Sequence, residues 1–421
     1  MPDHRIRPTR ALWRCSPSVH PCRGSWFTDP PSFISDRERD RTKDSRSVPA
    51  DRIPEGTTVN ISRIGGVAAI AIVGAIALSS CAANEAPAGD SSSDAKTYSG
   101  TLNGIGSSAQ GQAEITWGTG FQTANPDATV NYDPQGSGAG RTSFISGAAD
   151  FAGSDAALKD EELSQTFAGC AADTKGIDLP VYISPIAIAY NVDGLKDLKL
   201  DAATIAGIFK GTITKWNDDA IASQNDGADL PDADIRVVHR SDDSGTTQNF
   251  TEYLAANAAD VWDAAPSQTY PYTIGDAAKG TSGVADTTSQ TANSITYIDE
   301  SGAGDLSIAQ LKVGDNYVKL TAEGASEVVA NSPIADGRED NDLAIAIDRT
   351  YTSEKAYPLL LVSYMIVCQE YADADKAELV KGYASYVASE EGQKAAAEQA
   401  GSAPLSSDLA KKVADAIASI K

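Results

Sequence analysis

Histidine and cysteine are scarce in this chain of 421 residues, which contains three histidines and five cysteines. Only His239 lies beyond residue 81, so a histidine-rich metal centre is excluded there, and a Ser–His–Asp triad would have to use that one residue. The nucleophile pattern Gly-x-Ser-x-Gly and the two common nucleotide-binding glycine patterns are missing. We therefore expect no metal, no cofactor and no enzymatic activity.

Positive charge is also limited. The chain has 34 Lys and Arg against 58 Asp and Glu, a formal net charge of −24. Residues 1–80 hold 12 of these basic and 8 of these acidic residues, which leaves 22 and 50, a net charge of about −28, for residues 81–421. Nucleic acids and anionic membrane surfaces need basic patches, so neither is expected as a partner. Local donors could still bind a small anion.

The N-terminal 80 residues differ from the rest of the chain in composition and in apolar pattern. Residues 1–58 are rich in Arg, Pro and Ser without apolar periodicity, and we expect an untranslated or disordered extension. Residues 59–80 join a basic flank to an apolar run of about 12 residues, which predicts a secretory signal that is too short to span a membrane. A signal begins at the initiator, so the true start is expected at or near Val59.

The segment Leu78-Ser-Ser-Cys81 ends this signal and resembles the bacterial lipobox. The resemblance implies that Cys81 receives lipid and becomes the mature N-terminus, on the outer face of the cytoplasmic membrane. The alternative is a buried helix that ends in cysteine. Residues 81–97 are small and polar, which predicts a flexible tether after the lipidated cysteine.

The remaining cysteines allow a simple prediction. Cys15 and Cys22 precede the signal, so only Cys170 and Cys368 remain in the exported part besides Cys81. In an oxidising compartment we expect a disulfide between Cys170 and Cys368, with two buried free thiols as the alternative.

From about Tyr98 onward, strand-like and helix-like segments alternate, which predicts an α/β architecture with substantially parallel sheets. The two most apolar segments, 181–190 and 359–367, are expected to be central strands buried on both faces. Helical patterns cover residues 202–209, 247–258, 374–388 and 406–420.

Three Gly/Ser-rich turns carry hydroxyls and backbone donors: residues 104–109, 135–141 and 240–246. The second follows a strand-like segment, and the third lies between a strand-like segment and a helical one. A strand, a turn and a helix in this order present backbone N–H groups and a positive dipole end to an anion. One such turn usually only reverses the chain, but three in one chain favour an oxyanion site.

At these turns the sequence resembles the phosphate-binding proteins of high-affinity phosphate importers, from about Thr101 to the C-terminus. The resemblance also covers residues 150–155 and 200–217. It implies the two-lobed type II periplasmic-binding-protein fold, with the ligand between lobes formed by residues 98–184 plus 359–421 and by residues 185–358. The implied partners are inorganic phosphate and the permease and ATPase subunits of an ABC importer, with the binding protein as a monomer.

The same resemblance implies which residues contact phosphate. Those residues are Ser108, Ser137, Asp155, Arg240, Ser244, Gly245 and Thr246. The hydroxyls and turn N–H groups would donate hydrogen bonds, and Arg240 would supply a cationic fork. Asp242 would hold Arg240 in place, with a turn-stabilising role as the alternative.

Asp155 suits an oxyanion that carries a proton. Phosphate near neutral pH is protonated and can donate a hydrogen bond to a carboxylate, whereas sulfate cannot, so Asp155 would reject sulfate. Its alternative role is an N-cap for residues 156–163.

The sequence departs from the family beside Ser108, where Ala109 replaces the usual aromatic residue. The direction of Arg141, a second cation near the turn, stays open, and His239 is expected to be an ordinary rim residue. Two rival functions remain: a binding protein for another oxyanion, such as sulfate or molybdate, and a lipid-anchored phosphatase or esterase with Ser137 or Ser244 as nucleophile.

Overall fold

The computed structural model describes residues 96–421. The predicted extension 1–58, the signal 59–80, Cys81 and the tether up to residue 95 lie outside the described residues. Within the described part of the chain, no helix is long and apolar enough to cross a membrane.

Twelve strands are present in the described residues. They are β1 (Gly100–Gly106), β2 (Ala128–Asp133), β3 (Phe151–Ser154), β4 (Gly176–Asn191), β5 (Lys199–Leu200), β6 (Arg236–Arg240), β7 (Asp276–Ala278), β8 (Ser294–Asp299), β9 (Ser307–Ile308), β10 (Gln310–Val313), β11 (Asn316–Val318) and β12 (Leu360–Cys368). Both predicted central strands are confirmed, as β4 and β12, and almost every residue in them is buried.

Twelve helices alternate with these strands over residues 96–421. They are α1 (Gly111–Ala124), α2 (Ser137–Ile145), α3 (Asp160–Leu163), α4 (Ala202–Lys210), α5 (Asp219–Ala222), α6 (Gly245–Asn257), α7 (Gly280–Gln290), α8 (Glu300–Ala303), α9 (Ala322–Ala330), α10 (Ala374–Val387), α11 (Glu390–Ala400) and α12 (Ser407–Ser419). The four predicted helices correspond to α4, α6, α10 and α12, displaced by at most two residues at either end.

Strand β4 is shared by two sheet regions. Its first part, Gly176 to Pro185, pairs with β12, and its second part, from Ile186 to Asn191, pairs with β8. The strand order is β2-β1-β3-β12-β4-β8-β6-β7, with β9 paired to β4 outside this path. We call the β2-β1-β3-β12 side the first lobe and the β8-β6-β7 side the second lobe, each with its packed helices.

The sheet is mixed rather than substantially parallel. Strand β1 is parallel to β2 and β3, and β6 is parallel to β7 and β8, as expected for βαβ units. Strand β12, however, is antiparallel to β3 and β4, and β4 is antiparallel to β8. The prediction of parallel pairing was wrong for these two strands, because burial on both faces gives the same continuous apolar run in either orientation.

Two arginines, the half-buried Arg338 and the buried Arg349, attach residues 334–349 to both lobes. Arg338 Nη1 lies 3.0 Å from Asp342 and 3.3 Å from Asp178 of β4. Arg349 donates to the Leu360 carbonyl at 2.6 Å and forms an ion pair with Glu252 of α6 at 2.9 Å. Part of the segment predicted as 185–358 therefore contacts the first lobe, and the predicted residue limits of the lobes stay a prediction.

A disulfide joins Cys170 to Cys368 across a sequence separation of 198 residues. Both cysteines are buried, and the bond connects the loop before β4 to the end of β12. It lies within the first lobe, so it can stabilise that lobe without linking it to the second one.

Candidate functional site

The turn between β2 and α2 brings Ser137 to the cleft. Gly136 caps α2 with φ = 106°, and a Cβ built there would lie 2.6 Å from Oδ2 of Asp242 in the second lobe, so glycine is required. Ser137 begins the helix, and its Oγ accepts the Asp155 N–H at 3.1 Å. The hydrogen of the Ser137 hydroxyl is therefore available to a ligand.

The turn between β6 and α6 presents a second helix N-terminus. The Ser244 Oγ caps α6 by accepting the Thr247 N–H at 3.1 Å, which leaves the Ser244 hydroxyl hydrogen available. A Cβ at Gly245 would lie 2.6 Å from both the Asp155 Cβ and the Ser137 Oγ. The two helix N-termini thus approach each other so closely that only glycine fits at position 245.

Packing beneath α6 fixes this geometry. The Phe250 and Tyr297 rings stack with centroids 4.2 Å apart, and both side chains are buried. The Tyr297 hydroxyl lies 2.7 Å from the Thr247 hydroxyl and accepts the Arg240 N–H at 3.4 Å. Burying an aromatic ring such as Phe250 contributes about 2 kcal/mol, so the helix start is held by the core below it.

Arg240 is held by a two-point contact with Asp242. Its Nε donates to Oδ1 at 2.8 Å and its Nη2 to Oδ2 at 2.5 Å. Burial alone would raise the pKa of Asp242, but the hydrogen bonds and charge of Arg240, with the Gly280 N–H, hold that pKa below its usual range. Within residues 96–421 the Arg240 Nη1 group makes no hydrogen bond, so its two hydrogens are available for an oxyanion.

Asp155 follows β3 and is 3% exposed. Its Oδ1 accepts the Ser363 hydroxyl at 2.8 Å and its Oδ2 accepts the Thr246 hydroxyl at 3.3 Å. Burial raises the pKa of Asp155, and the neighbouring hydroxyls of Ser107, Ser363 and Thr246, with the charge of Arg240, oppose that rise. The N-cap alternative for Asp155 is wrong, because α3 begins only at Asp160.

Most of the predicted residues converge. The side chains or backbones of seven of them form one contiguous group at the two helix starts: Ser137, Asp155, Arg240, Asp242, Ser244, Gly245 and Thr246. In this structure the Thr246 hydroxyl donates to Asp155, so the Thr246 contribution to a ligand would come from its backbone N–H.

Ser108 is directed elsewhere. Its Oγ accepts the Thr281 N–H at 3.0 Å and lies 3.1 Å from the Thr281 hydroxyl, at the start of α7 in the second lobe. The neighbouring Ala109 is fully buried. Ser108 therefore connects the lobes, and its side chain makes no hydrogen bond to Ser137, Asp155 or Arg240.

Arg141 faces neither solvent nor the centre of the site. Its Nε lies 2.9 Å from Glu162, its Nη1 donates to Ser154 at 2.9 Å, and its Nη2 donates to Gln268 of the second lobe at 2.9 Å. The direction left open by the sequence is thus resolved as a buried contact between the lobes.

Further bonds join the two lobes in a closed arrangement. The Gly138 N–H donates to the Asp243 carbonyl at 3.2 Å, and the Asn249 side chain donates to the Asp155 carbonyl at 2.7 Å. Lys279 Nζ donates to the Gln135 side chain at 2.5 Å. A small anion between α2 and α6 would accordingly be enclosed.

His239 is not a rim residue. It is 9% exposed, its ring stacks on Tyr270 with centroids 3.9 Å apart, and its Nδ1 lies 3.0 Å from the Arg240 carbonyl. It makes no hydrogen bond to Ser137 or Ser244, so in this structure no histidine is placed to act as a general base for either serine. Among the described residues there is also no cluster of three or more residues suited to hold a metal ion.

Sequence reasoning missed Ser107 and Ser363. The sequence does mark Ser363, because it is the one serine in the apolar segment 359–367. Only the pairing of β12 with β3 shows that it faces Asp155. Ser108 is implied by the family resemblance alone. Its neighbour Ser107 is one of the groups that oppose the rise in the pKa of Asp155.

The strand shared between two lobes and the two helix N-termini that meet between those lobes define a type II periplasmic binding protein. The family model of the PBP superfamily domain matches residues 90–391. A solved structure with the same fold, a high-affinity periplasmic phosphate-binding protein (PfluDING) bound with phosphate, is 25% identical with a TM-score of 0.63, over 75% of this chain and 93% of that one.

Two relatives of known family show which kind of periplasmic binding protein this chain is. Phosphate-binding protein PstS 3 of Mycobacterium tuberculosis is 33% identical over 338 residues, 77% of this chain and 90% of the relative. Phosphate-binding protein PstS2 of Mycobacterium bovis BCG is 34% identical over 375 residues, 86% of this chain and the full relative. The chain belongs to the PstS family of phosphate-binding proteins.

Proposed function

We propose that this protein is an extracytoplasmic solute-binding protein that captures inorganic phosphate and delivers it to an ABC-type importer. The observation that carries the proposal is the convergence of two helix N-termini, α2 and α6, with Arg240 and Asp155 in a closed cleft. Family membership, with relatives named as phosphate-binding proteins and a phosphate-bound structural neighbour, supports the same ligand.

The residues have complementary roles in this proposal. Ser137 and Ser244 donate their free hydroxyl hydrogens, and the first N–H groups of α6, at Gly245 and Thr246, donate without adding charge. Arg240 offers Nη1 as the cationic donor. These donors enclose the anion although the protein as a whole is acidic.

Asp155 supplies the acceptor. A phosphate O–H can donate to the carboxylate, whereas sulfate would meet only negative charge and lone pairs, so the site favours phosphate over sulfate or molybdate. Ser108 belongs to the wall of the cleft in this scheme, and its contact with Thr281 helps to close the lobes over the ligand.

The rest of the proposal concerns location and partners. Lipid on Cys81 would hold the protein at the outer face of the cytoplasmic membrane, where a monomer with closed lobes would dock on the permease. Closure signals that the site is occupied, and the importer's ATPase subunits power transport. Capture and release require no turnover, and the packing of His239 against Tyr270 supports the view that the protein is not a phosphatase.

Titration of phosphate-stripped protein tests the function. Intrinsic fluorescence should report saturable, one-to-one phosphate binding, because Trp and Tyr residues are present in both lobes. No binding, or tighter binding of sulfate or molybdate, would overturn the proposal. Turnover of a generic phosphoester that disappears in Ser137→Ala or Ser244→Ala would point to the enzyme instead.

A further inference from the structure

Hydroxyl groups from two separate elements donate to the Asp155 carboxyl. Ser363 of β12 donates to Oδ1 at 2.8 Å, and Thr246 of α6 donates to Oδ2 at 3.3 Å. Thr246 belongs to the proposed ligand site itself. Ser363 lies behind Asp155, on a strand that the proposed function does not otherwise use.

The register of the sheet fixes Ser363 in this position. Strand β12 is antiparallel to β3, with Tyr364 opposite Ser154, so one further step along the same register places Ser363 opposite Asp155. The pairing of β12 with β4 shifts between Ser363 and Tyr364. Such irregularities re-aim a side chain within a sheet. Ser363 is fully buried, and its hydroxyl donates to the carboxylate.

The hydrogen bonds to Asp155 leave room for a ligand. An ionised carboxylate has about four acceptor positions. Thr246 and Ser363 each fill one of them, one on each oxygen. An acceptor position therefore remains for the O–H of a protonated oxyanion.

We propose that Ser363 is a specificity-determining, positioning residue: its hydroxyl orients the Asp155 carboxyl as a hydrogen-bond acceptor, so that the site accepts a protonated oxyanion and rejects an unprotonated one. This inference rests on the proposed function, because it concerns the same cleft. Ser363 acts through Asp155 and does not itself touch the ligand.

Removal of the Ser363 hydroxyl has a definite electrostatic consequence. Burial raises the pKa of Asp155, and Ser363 is one of the groups that hold it down. The other ionisable groups that act on this carboxyl are Arg240, which favours its charged form, and Asp299 and Tyr132, whose own pKa values Asp155 raises. Without Ser363 the carboxyl stays protonated to a higher pH, and a neutral Asp155 can donate a hydrogen bond to sulfate.

The first measurement needs no ligand. Carbon-13 NMR on the full chain, with labelled aspartate, follows the Asp155 carboxyl through pH, and the Asp155→Asn variant assigns the signal. Ser363→Ala should move this titration to higher pH, and Ser363→Thr, which keeps the hydroxyl, should restore it. Ser294→Ala is the matched control, because Ser294 is also a fully buried strand serine but its hydroxyl bonds to the Thr288 and Thr291 carbonyls.

The second measurement is the ratio of sulfate to phosphate dissociation constants between pH 5 and 8. Ser363→Ala should lower this ratio by at least about tenfold at the pH where the wild-type carboxyl is ionised and the variant carboxyl is not. The variant and the wild type are compared at the same pH, so the titration of phosphate itself affects both ratios equally. Ser363→Thr and Ser294→Ala should keep the wild-type ratio.

Failures of the two proposals are distinguishable. If wild-type protein binds no phosphate but Ser363→Ala still shifts the Asp155 titration, the proposed function is wrong and the action of Ser363 on Asp155 stands. If folded Ser363→Ala leaves both the titration and the ratio unchanged, the inference is overturned. An equal change in Ser294→Ala would also overturn it, because the effect would then be a general result of losing a buried hydroxyl.

Discussion

Gly245 offers a direct test of lobe closure. In the closed structure a Cβ at this position would lie 2.6 Å from the Asp155 Cβ and from the Ser137 Oγ, and 3.0 Å from the Asp155 carbonyl carbon. Carbon atoms in contact are normally about 3.5–4.0 Å apart, so an alanine must force the lobes apart or distort α6.

The expected magnitude follows from this overlap. Adding one methyl group to a filled space typically costs about 1–3 kcal/mol. The overlapping atoms belong to the first lobe, so the cost falls on the closed state, and Gly245→Ala should weaken phosphate binding about 5- to 150-fold. In an open ligand-free form the new methyl group meets no such atoms, and alanine near a helix start is tolerated at least as well as glycine.

Calorimetric titration with phosphate measures the change, and thermal unfolding without phosphate checks the fold. Gly283→Ala in α7 is the matched control, because its Cβ would meet only Ala278 atoms at an ordinary distance of 3.8 Å. Wild-type affinity in a folded Gly245→Ala variant would refute the account of closure.

Three further predictions concern charge, covalent linkage and burial. Arg240→Lys keeps the charge but loses the two-point contact with its carboxylate partner, so calorimetry should show roughly tenfold or greater loss of phosphate affinity; an unchanged affinity would contradict the role of the fork. The double variant Cys170→Ser/Cys368→Ser should lower the free energy of unfolding by about 2–5 kcal/mol in denaturant titrations, with phosphate affinity kept within about twofold. Burial raises the pKa of Glu114 to about 8 from 4.5, so the folded chain holds a proton that the unfolded chain releases in this window, and stability falls as pH rises through it. Glu114→Gln should remove roughly 3–5 kcal/mol of that fall in pH-dependent denaturation, and an unaltered pH profile would disprove the raised value.

The elements that the sequence predicts well are those with a strong local signal. The apolar segments that became β4 and β12 had to be buried strands, and α6 and α12 followed from helical periodicity. Strand direction was not predictable, because pairing partners are chosen across the whole chain.

The site residues also fall into those that a local pattern predicts and those that depend on contacts between distant segments. Glycine and serine turns next to a strand and a helix identify Ser137 and Ser244, because anion-binding turns depend on local backbone geometry. The role of Ser363 depends on the register between β12 and β3, which are distant in sequence. The direction of Arg141 likewise depends on Gln268 of the second lobe.

The central claim is that Asp155 selects phosphate by accepting a hydrogen bond from the phosphate O–H in a closed cleft. Calorimetry with phosphate and sulfate side by side, on wild-type protein and on Asp155→Asn, tests it most directly. The account predicts tight phosphate binding and little sulfate binding in the wild type, with the ratio of the two affinities falling at least about tenfold in Asp155→Asn. Equal discrimination by the two proteins, or preference of the wild type for sulfate, would contradict it.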